Sequence, residues 1–381
     1  MLQDIRVHTR LDDIDPVQWD ALDPSGYPFL RHAFLSALEH TGCVGPGSGW
    51  QACHLAAYAN GRLCAALPLY RKAHSLGEFV FDFAWADAYD RLGLSYYPKL
   101  VNAIPFTPAG GPRALPTTAE AAELHPDLLR AAMRLMDRDG LSSFHCLFPE
   151  EAQARRWSRA SGMLLRRACQ FRWHNAGFAD FDDHLATFSA EKRKKIRRER
   201  RRVAETGLTL TTWVGRDMTP SHWQVIYPLL ADTFHRHGHR PYLNQAFFEE
   251  VGRTLGDQMH LFVALDGATP VGAALTFSDS QTLYGRYWGV NGQWDCLHFE
   301  LCYHLGIEHC IAHGLAAYDP GTQGEHKLPR GFLPTLSWSL HWIADPRLRA
   351  AIGDFVEQEA LWVDRYAAQM ARHSPLKSSA P

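Results

Sequence analysis

The sequence predicts an α/β (α+β) protein of two similar halves, each a mixed, mostly antiparallel sheet flanked by helices. Three observations lead there. The chain has 381 residues, and domains usually run to about 100–200. Hydrophobic residues make up 46%, with twelve Trp, thirteen Tyr and twenty Phe, enough to fill two cores and unlike a disordered chain. Finally, the order strand, turn, strand, helix, strand occurs twice.

The first copy opens with LAAYANGRLCAALPLY, Leu55 to Tyr70, and the second with LFVALDGATPVGAALTFS, Leu261 to Ser278. Each reads as two strands around a turn, at Asn60-Gly61 and Asp266-Gly267, dipeptides that tolerate positive φ. The next match pairs Gly140-Leu141 with Gly314-Leu315. Both follow predicted helices, Ala119–Asp139 and His298–His313, and precede apolar runs, so each Gly is placed to end a helix before a strand. The first copy is longer by an aromatic, Gly- and Pro-rich stretch, Gly77–Pro116. The expected domains are 1–165, with an insertion at 77–116, and 166–345, the latter carrying the presumed active site. A C-terminal helix and frayed tail follow at 346–381.

The formal net charge of −2 gives the whole chain no pull toward nucleic acid or membrane, and no DNA partner is expected. MLQDIRVHTRLDDID has no apolar core of a signal peptide, and no run approaches 18 apolar residues, so neither secretion nor a membrane span is expected. The eight Cys form no CxxC pair, and several sit in apolar runs; a reduced, cytoplasmic location is the expectation. His309 and His313 stand at i, i+4, but HExxH is absent and no third ligand is indicated, so no metal is expected. His235, His237 and His239 alternate as in a strand or loop.

Four segments hold candidate chemistry. GRYWGVNGQW, 285–294, offers three glycines for close approach, the cation Arg286 and the flat Trp288. In the next helix His298, Cys302 and Leu305 share one face and Glu300, Tyr303 and His304 another; Glu300 or His298 could be a general base. The densest cluster, Asp319 to Phe332, begins where the predicted strand Ala316–Tyr318 ends, the place where open α/β sheets bind ligands. Its polar side chains are Asp319, Gln323, Glu325, His326, Lys327 and Arg330. Lastly, nine of the eleven residues Lys192–Arg202 are cationic, with Ile196 and Val203 placed to seat one face of a helix. Lys192, Arg193, Lys195, Arg197, Arg198 and Arg201 are the expected contacts to phosphate or RNA.

Long stretches carry a resemblance: PFLRHAFLSALEHTGCV (28–44), GEFVFDFAWADAYDRLGLSYYPKLVNAIPFTPAGGPR (77–113), FRWHNAGFADFDDHLATFSAEKRKKIRRERR (171–201), LYGRYWG (283–289), LHFELCYHLGIEHCIAHG (297–314) and GEHKLPRGFLP (324–334). The chain resembles the FemAB-like predicted N-acyltransferases of the GNAT superfamily, labelled peptidoglycan biosynthesis or recognition proteins, over nearly its whole length. The resemblance implies tandem GNAT (acyl-CoA N-acyltransferase-like) domains and acyl transfer to an amine. The related Fem aminoacyl transferases take amino acids from aminoacyl-tRNA for the peptide bridges of peptidoglycan precursors. Two departures stand out. The Lys of the Fem pattern Lys-x-Gly-Phe is Pro329 here, so Lys327 or Arg330 would have to stabilise the oxyanion. The [Q/R]-x-x-G-x-[G/A] turn of CoA-dependent GNATs is not matched by GVNGQWDCLH, which favours aminoacyl-tRNA over acyl-CoA as co-substrate. No tightly bound cofactor is expected.

The expected reaction is direct attack of a small-molecule or peptide amine on an activated carbonyl, forming an amide or peptide bond. Glu300, His298 or His326 would remove the proton, and Lys327 and Arg330 would stabilise the oxyanion. Arg286, Trp288, Asp319, Gln323 and Glu325 would contact substrate, and Lys99 and Arg113 would line an acceptor channel. The basic helix would hold tRNA. The competing readings are an acyl-CoA-dependent transferase, a non-catalytic peptidoglycan- or RNA-binding shell, and a metal-dependent hydrolase.

Overall fold

The computed structural model describes residues 4–118, 121–236, 238–322 and 324–377. It divides into two units, one of residues 1–168 and 336–365, the other of 169–335 and 366–381. The expected split at 165/166 is thus amended by the return of Leu336–Arg365 to the first unit.

Unit 1 contains strands β1 (Asp4–His8), β2 (Trp50–Ala52), β3 (His54–Ala59), β4 (Arg62–Leu67), β5 (Tyr70–Lys72), β6 (Lys99–Asn102) and β7 (Ser143–Leu147). The chain leaves it along β8 (Leu164–His174). Unit 2 continues with β9 (Thr209–Val214), β10 (Met259–Asp266), β11 (Thr269–Ser278), β12 (Thr282–Val290) and β13 (Ala317–Asp319), and β14 (Leu333–Ile343) returns to unit 1.

In unit 1, β1, β3 and β4 form a small antiparallel sheet, and the order β2-β5-β6-β7-β14 forms a second. The reason the return segment belongs here is its pairing: Ser339–Ile343 run antiparallel to β7, from Ser339 opposite Leu147 to Ile343 opposite Ser143. The helix His125–Arg138 buries Leu128, Leu129, Ala132, Leu135 and Met136, one stripe at helical spacing, in a core with Leu67, Leu100, Phe144, Trp157 and Leu340. Each Leu, Met or Phe among them contributes about 1.5–3 kcal/mol when fully buried.

Unit 2 is ordered β8-β13-β12-β11-β10-β9, antiparallel except for β12 and β13. Phe262, Ala274, Leu283, Leu301, Ile307, Tyr318 and Phe332 form its core. The last residues described are held, not frayed: Phe188 and Leu376 form an antiparallel bridge, and the Lys377 N–H donates to the Thr187 carbonyl at 2.8 Å.

The duplication is visible in backbone detail. Gly140 (φ 63°) and Gly314 (φ 66°) both end helices in the left-handed region. In each copy the next residue closes the cap, Leu141 N–H to Met136 O at 3.0 Å and Leu315 N–H to Cys310 O at 2.9 Å. The strand that follows is parallel to its neighbour in both copies, β7 to β6 and β13 to β12. The hairpins differ by one position. Asn60 and Gly61 form the first turn, both with positive φ; in the second, Asp266 pairs with Thr269, so the turn is Gly267-Ala268. Residues 119 and 120, the start of the first predicted helix, lie outside the described residues, as does His237. His235 ends the helix Pro220–Arg236 rather than lying in a strand or loop.

Candidate active site

The loop after β13 is fixed from beneath by buried charges. Asp319, the last residue of the strand, accepts from Arg172 of β8 at 2.9 Å and from the Gly321 N–H at 3.1 Å. Lys327 is 2% exposed and donates its ammonium to the Gly321 carbonyl at 2.5 Å. Burial lowers the Lys327 pKa to about 8, with Asp319 acting in the opposite direction. Gly285 of β12 leaves room for this loop, since a Cβ there would stand 3.2 Å from the Pro320 Cα.

The loop continues as a tight helical turn, Glu325–Arg330. Arg330 is 4% exposed; it donates to the His326 carbonyl at 2.6 Å and to Glu199 of the basic helix at 2.9 Å, and its guanidinium lies 3.3 Å from the Phe299 ring centre. Burial lowers its pKa, while the Glu199 charge raises it. Gly324, at φ 97°, is packed against the His326 ring, so that any side chain would meet it.

His326 lies on the exposed side of the turn, and its Nε2 is 2.7 Å from the Tyr303 hydroxyl. Burial, then the charges of Lys327 and Arg330, hold it below the usual imidazole range. His298 joins this pair, its ring 5.4 Å from Tyr303, 5.7 Å from His326 and 4.7 Å from Trp288. Burial drops its pKa to about 4, so it is neutral at pH 7. The structure therefore brings together His298, His326, Lys327, Arg330, Asp319 and Trp288.

The segment Leu297–Ala312 is not a plain α-helix, because Glu300–His304 form a π-helical turn. The predicted faces change accordingly. Tyr303 leaves Glu300 and His304 and joins His298, five residues back. Glu300 and His304 turn to the basic helix Ala190–Ala204. Arg200 donates to Glu300 at 2.8 Å and to Glu308 at 2.6 Å, and His304 Nε2 lies 3.8 Å from Glu199. Glu300 is buried and already held by a cation, so it stands apart from the imidazole cluster.

The other expected site residues are placed as follows. Arg286 is half-buried at a register shift between β11 and β12, 5.7 Å from the Tyr287 ring. Gly289 serves packing, since a Cβ would strike the Leu229 carbonyl. Glu325 is exposed and accepts from Tyr366 at 2.6 Å. Gln323 lies outside the described residues. Lys99 and Arg113 belong to unit 1. Arg113 is fully buried and lines no channel: it donates to the carbonyls of Leu147, Gly111, Pro112 and Ala109. Lys99 is fully buried among acids of the same unit.

Sequence reasoning missed Tyr303 as a partner of His326, Arg172 as a partner of Asp319 and Glu199 as a partner of Arg330. The one acidic residue inside the cationic run was a usable signal for Glu199. The basic helix buries Ile196, Glu199 and Val203 and turns its other side outward. Arg193, Lys194, Arg197, Arg198 and Arg201 line a depression of about 230 Å³. Among the described residues, Lys192 lies 3.6 Å from Glu191 and Arg197 2.9 Å from Asp182, whereas Lys194, Lys195 and Arg198 have no ion-pair partner. No group of three or more His, Cys, Asp or Glu able to hold a metal occurs among the described residues, and no helix there is long and apolar enough to cross a membrane. All eight cysteines are free thiols.

Two α/β units, each a mixed sheet flanked by helices, make up the chain, and the second carries a polar loop at the end of a core strand. The FemAB-like family, described as peptidoglycan biosynthesis/recognition, matches residues 10–378, and the chain belongs to it. A solved structure of FemX is similar in fold, with a TM-score of 0.55 and 13% identity, covering 92% of this chain and 100% of that one. The structure of L-PGS from Bacillus licheniformis has a TM-score of 0.52 and 11% identity, covering 90% and 97%. A tandem GNAT protein from the clavulanic acid biosynthesis pathway has a TM-score of 0.45 and 14% identity over 90% and 99%. No curated protein matches the sequence.

Proposed function

We propose that the protein transfers an aminoacyl group from aminoacyl-tRNA to an amine acceptor of peptidoglycan metabolism, by direct attack. The family and fold support acyl or aminoacyl transfer. One observation carries the choice of site: a neutral, outward-lying His326, held by Tyr303 and by a turn pinned on buried Lys327 and Arg330. In the tautomer with its proton on Nε2, His326 donates to Tyr303 and keeps the Nδ1 lone pair for the ammonium proton of the acceptor. The freed amine attacks the ester carbonyl; the C–N bond forms, the C–O bond breaks and the tRNA hydroxyl leaves with a proton. Lys327 and Arg330 place positive charge beneath the turn, which favours the oxyanion.

The tRNA preference is supported by the unpaired cations Lys194, Lys195 and Arg198 on a helix whose inner side holds Arg330 through Glu199. The test offers the protein radiolabelled aminoacyl-tRNA or acyl-CoA with lysine-containing peptidoglycan precursor peptides. Amide product from the charged tRNA is expected. Product from acyl-CoA alone removes the donor assignment, and product from neither removes the transferase.

A further inference from the structure

Most aromatic side chains of the protein are covered, and the exceptions are not scattered. Among the described residues, the exposed Phe, Trp and Tyr side chains are Phe81, Phe83, Phe355 and Trp362, at 69%, 46%, 47% and 63%. All four belong to unit 1. They lie in two segments that Arg166 ties together: it donates to the Phe81 carbonyl at 2.9 Å and to the two Glu359 oxygens at 2.8 and 2.6 Å. Glu359 stands four residues after Phe355 and three before Trp362, so the two aromatic segments adjoin. Single exposed rings are ordinary, whereas an adjoining group marks a contact surface.

The helix Pro346–Arg372 organises this surface. Leu348, Ile352, Val356 and Val363 are its buried stripe. A second stripe, positions 351, 354, 355, 358, 361, 362 and 365, is exposed at every member. Its intervals of three and four are those by which one helix packs along another. The set is also symmetric about Gln358, with members three, four and seven residues away on either side.

A two-fold axis at Gln358, relating two antiparallel copies of the helix, therefore lays every member of the stripe on another member. Phe355 of one copy meets Leu361 of the other, Asp354 meets Trp362, and Gln358 meets itself, amide to amide. Arg365 falls opposite the small Ala351, three residues, or about 4.5 Å along the axis, from Asp354 of the second copy. Nearby charges are already matched, Arg347 with Asp345, Arg166 with Glu359 and Arg167 with Asp364. Asp354 and Arg365 have no ion-pair partner among the described residues, and the antiparallel pair supplies one to each. A parallel pair would instead set Asp354 on Asp354 and Arg365 on Arg365. The exposed acids Asp354 and Glu357, on and beside the stripe, disfavour an anionic lipid surface as the occupant.

We propose that this face of unit 1 binds a second copy of the chain, the two Pro346–Arg372 helices lying antiparallel about Gln358 with Phe355, Leu361 and Trp362 in the contact. The interface does not depend on the transfer reaction proposed above.

Sedimentation velocity of the full chain under reducing conditions, over about 1–100 µM, should show a concentration-dependent dimer. Phe355→Ser and Leu361→Ser should each weaken dimerisation by about tenfold or more. Asp354→Arg should weaken it by about fivefold or more, and adding Arg365→Asp should restore the wild-type value, because the exchange recreates the pair in reverse. These positions are solvent-exposed, so the variants should keep the wild-type circular dichroism spectrum; if one does not, the others and the wild-type series decide. A chain that stays monomeric throughout overturns the proposal. So does a dimer that ignores the Phe355 and Leu361 substitutions, or a charge exchange that restores nothing. A monomer that sediments with phosphatidylglycerol vesicles gives the face to lipid and also overturns it.

Discussion

Two residues set the expected pH behaviour of transfer. His326 is held below the usual imidazole range chiefly by burial, so its base form is present into mildly acidic solution. Lys327, a cation lowered to about 8 by burial, loses its charge as pH rises through that value. The rate should climb along an acid limb below about 6.5, the ordinary imidazole value, and fall along an alkaline limb near 8. His326→Gln should slow transfer by about 10²–10⁴-fold and abolish the acid limb. A pH–rate profile with its acid limb intact in that variant would move the base elsewhere. Lys327, His326 and Arg330 were readable as a polar cluster after an apolar strand. Their grip on Gly321, Tyr303 and Glu199 was not, because it depends on which neighbouring elements cross beneath the loop.

At the scale of the element, the basic helix has two jobs that can be separated by substitution. Glu199 faces inward and pairs with Arg330, a cation that is itself buried. Its own pKa is lowered: burial raises it, but the His304 and Arg330 interactions outweigh that. Glu199→Ala leaves a buried guanidinium without its anion and should cost about 3 kcal/mol of stability, read by urea denaturation. The sign of the linkage follows from a lowered carboxylate pKa: this stabilisation is present at neutral pH and is lost as pH falls through the folded-state value. Lys194→Ala, Lys195→Ala and Arg198→Ala together change only solvated positions and should leave stability within about 0.5 kcal/mol for each. They should flatten the salt dependence of tRNA binding by roughly 2–3 in log–log slope, measured by fluorescence anisotropy. An unchanged slope would remove the helix from the RNA contact. The composition of this helix disclosed its outer side; the seating of Ile196 and Val203 at a spacing of seven disclosed the inner one. The helix Leu297–Ala312 was less legible. Its sequence carries no Pro, and its one Gly, Gly306, follows the π turn rather than lying in it, so an α period assigned Tyr303 to the wrong face.

For the whole molecule, the repeated hairpin, helix and strand gave two units, and the equivalent caps at Gly140 and Gly314 justify that reading atom by atom. Chain order suggested that the second half would keep residues 166–345, followed by a separate C-terminal helix and tail. It does not, because strand partners are chosen by edge complementarity, and β7 pairs with a strand nearly 200 positions later (Phe144 with Trp342). A polypeptide ending at Ala168 would therefore lack Leu340, Ile343, Leu348, Ile352 and Val356, all buried in unit 1. At about 1.5–3 kcal/mol for each buried side chain, the loss rivals the 5–15 kcal/mol by which typical proteins are stable. Residues 1–168 expressed alone should show no cooperative melt by circular dichroism, and adding residues 336–365 through a flexible linker should restore one. A cooperative melt of 1–168 alone would show that the return segment is dispensable.

The π turn has a genetic corollary. In the first repeat the matching helix, His125–Arg138, keeps an uninterrupted α period; in the second, one surplus amino acid re-phases the helix midway. A single codon is the smallest difference in DNA between those two forms. Excising the codon for Leu301 would remove the residue that the wide turn absorbs, so the helix could close in plain α turns with both flanks in their present phase, and Tyr303 would follow His298 at i, i+4 with its phenol still beside the imidazole.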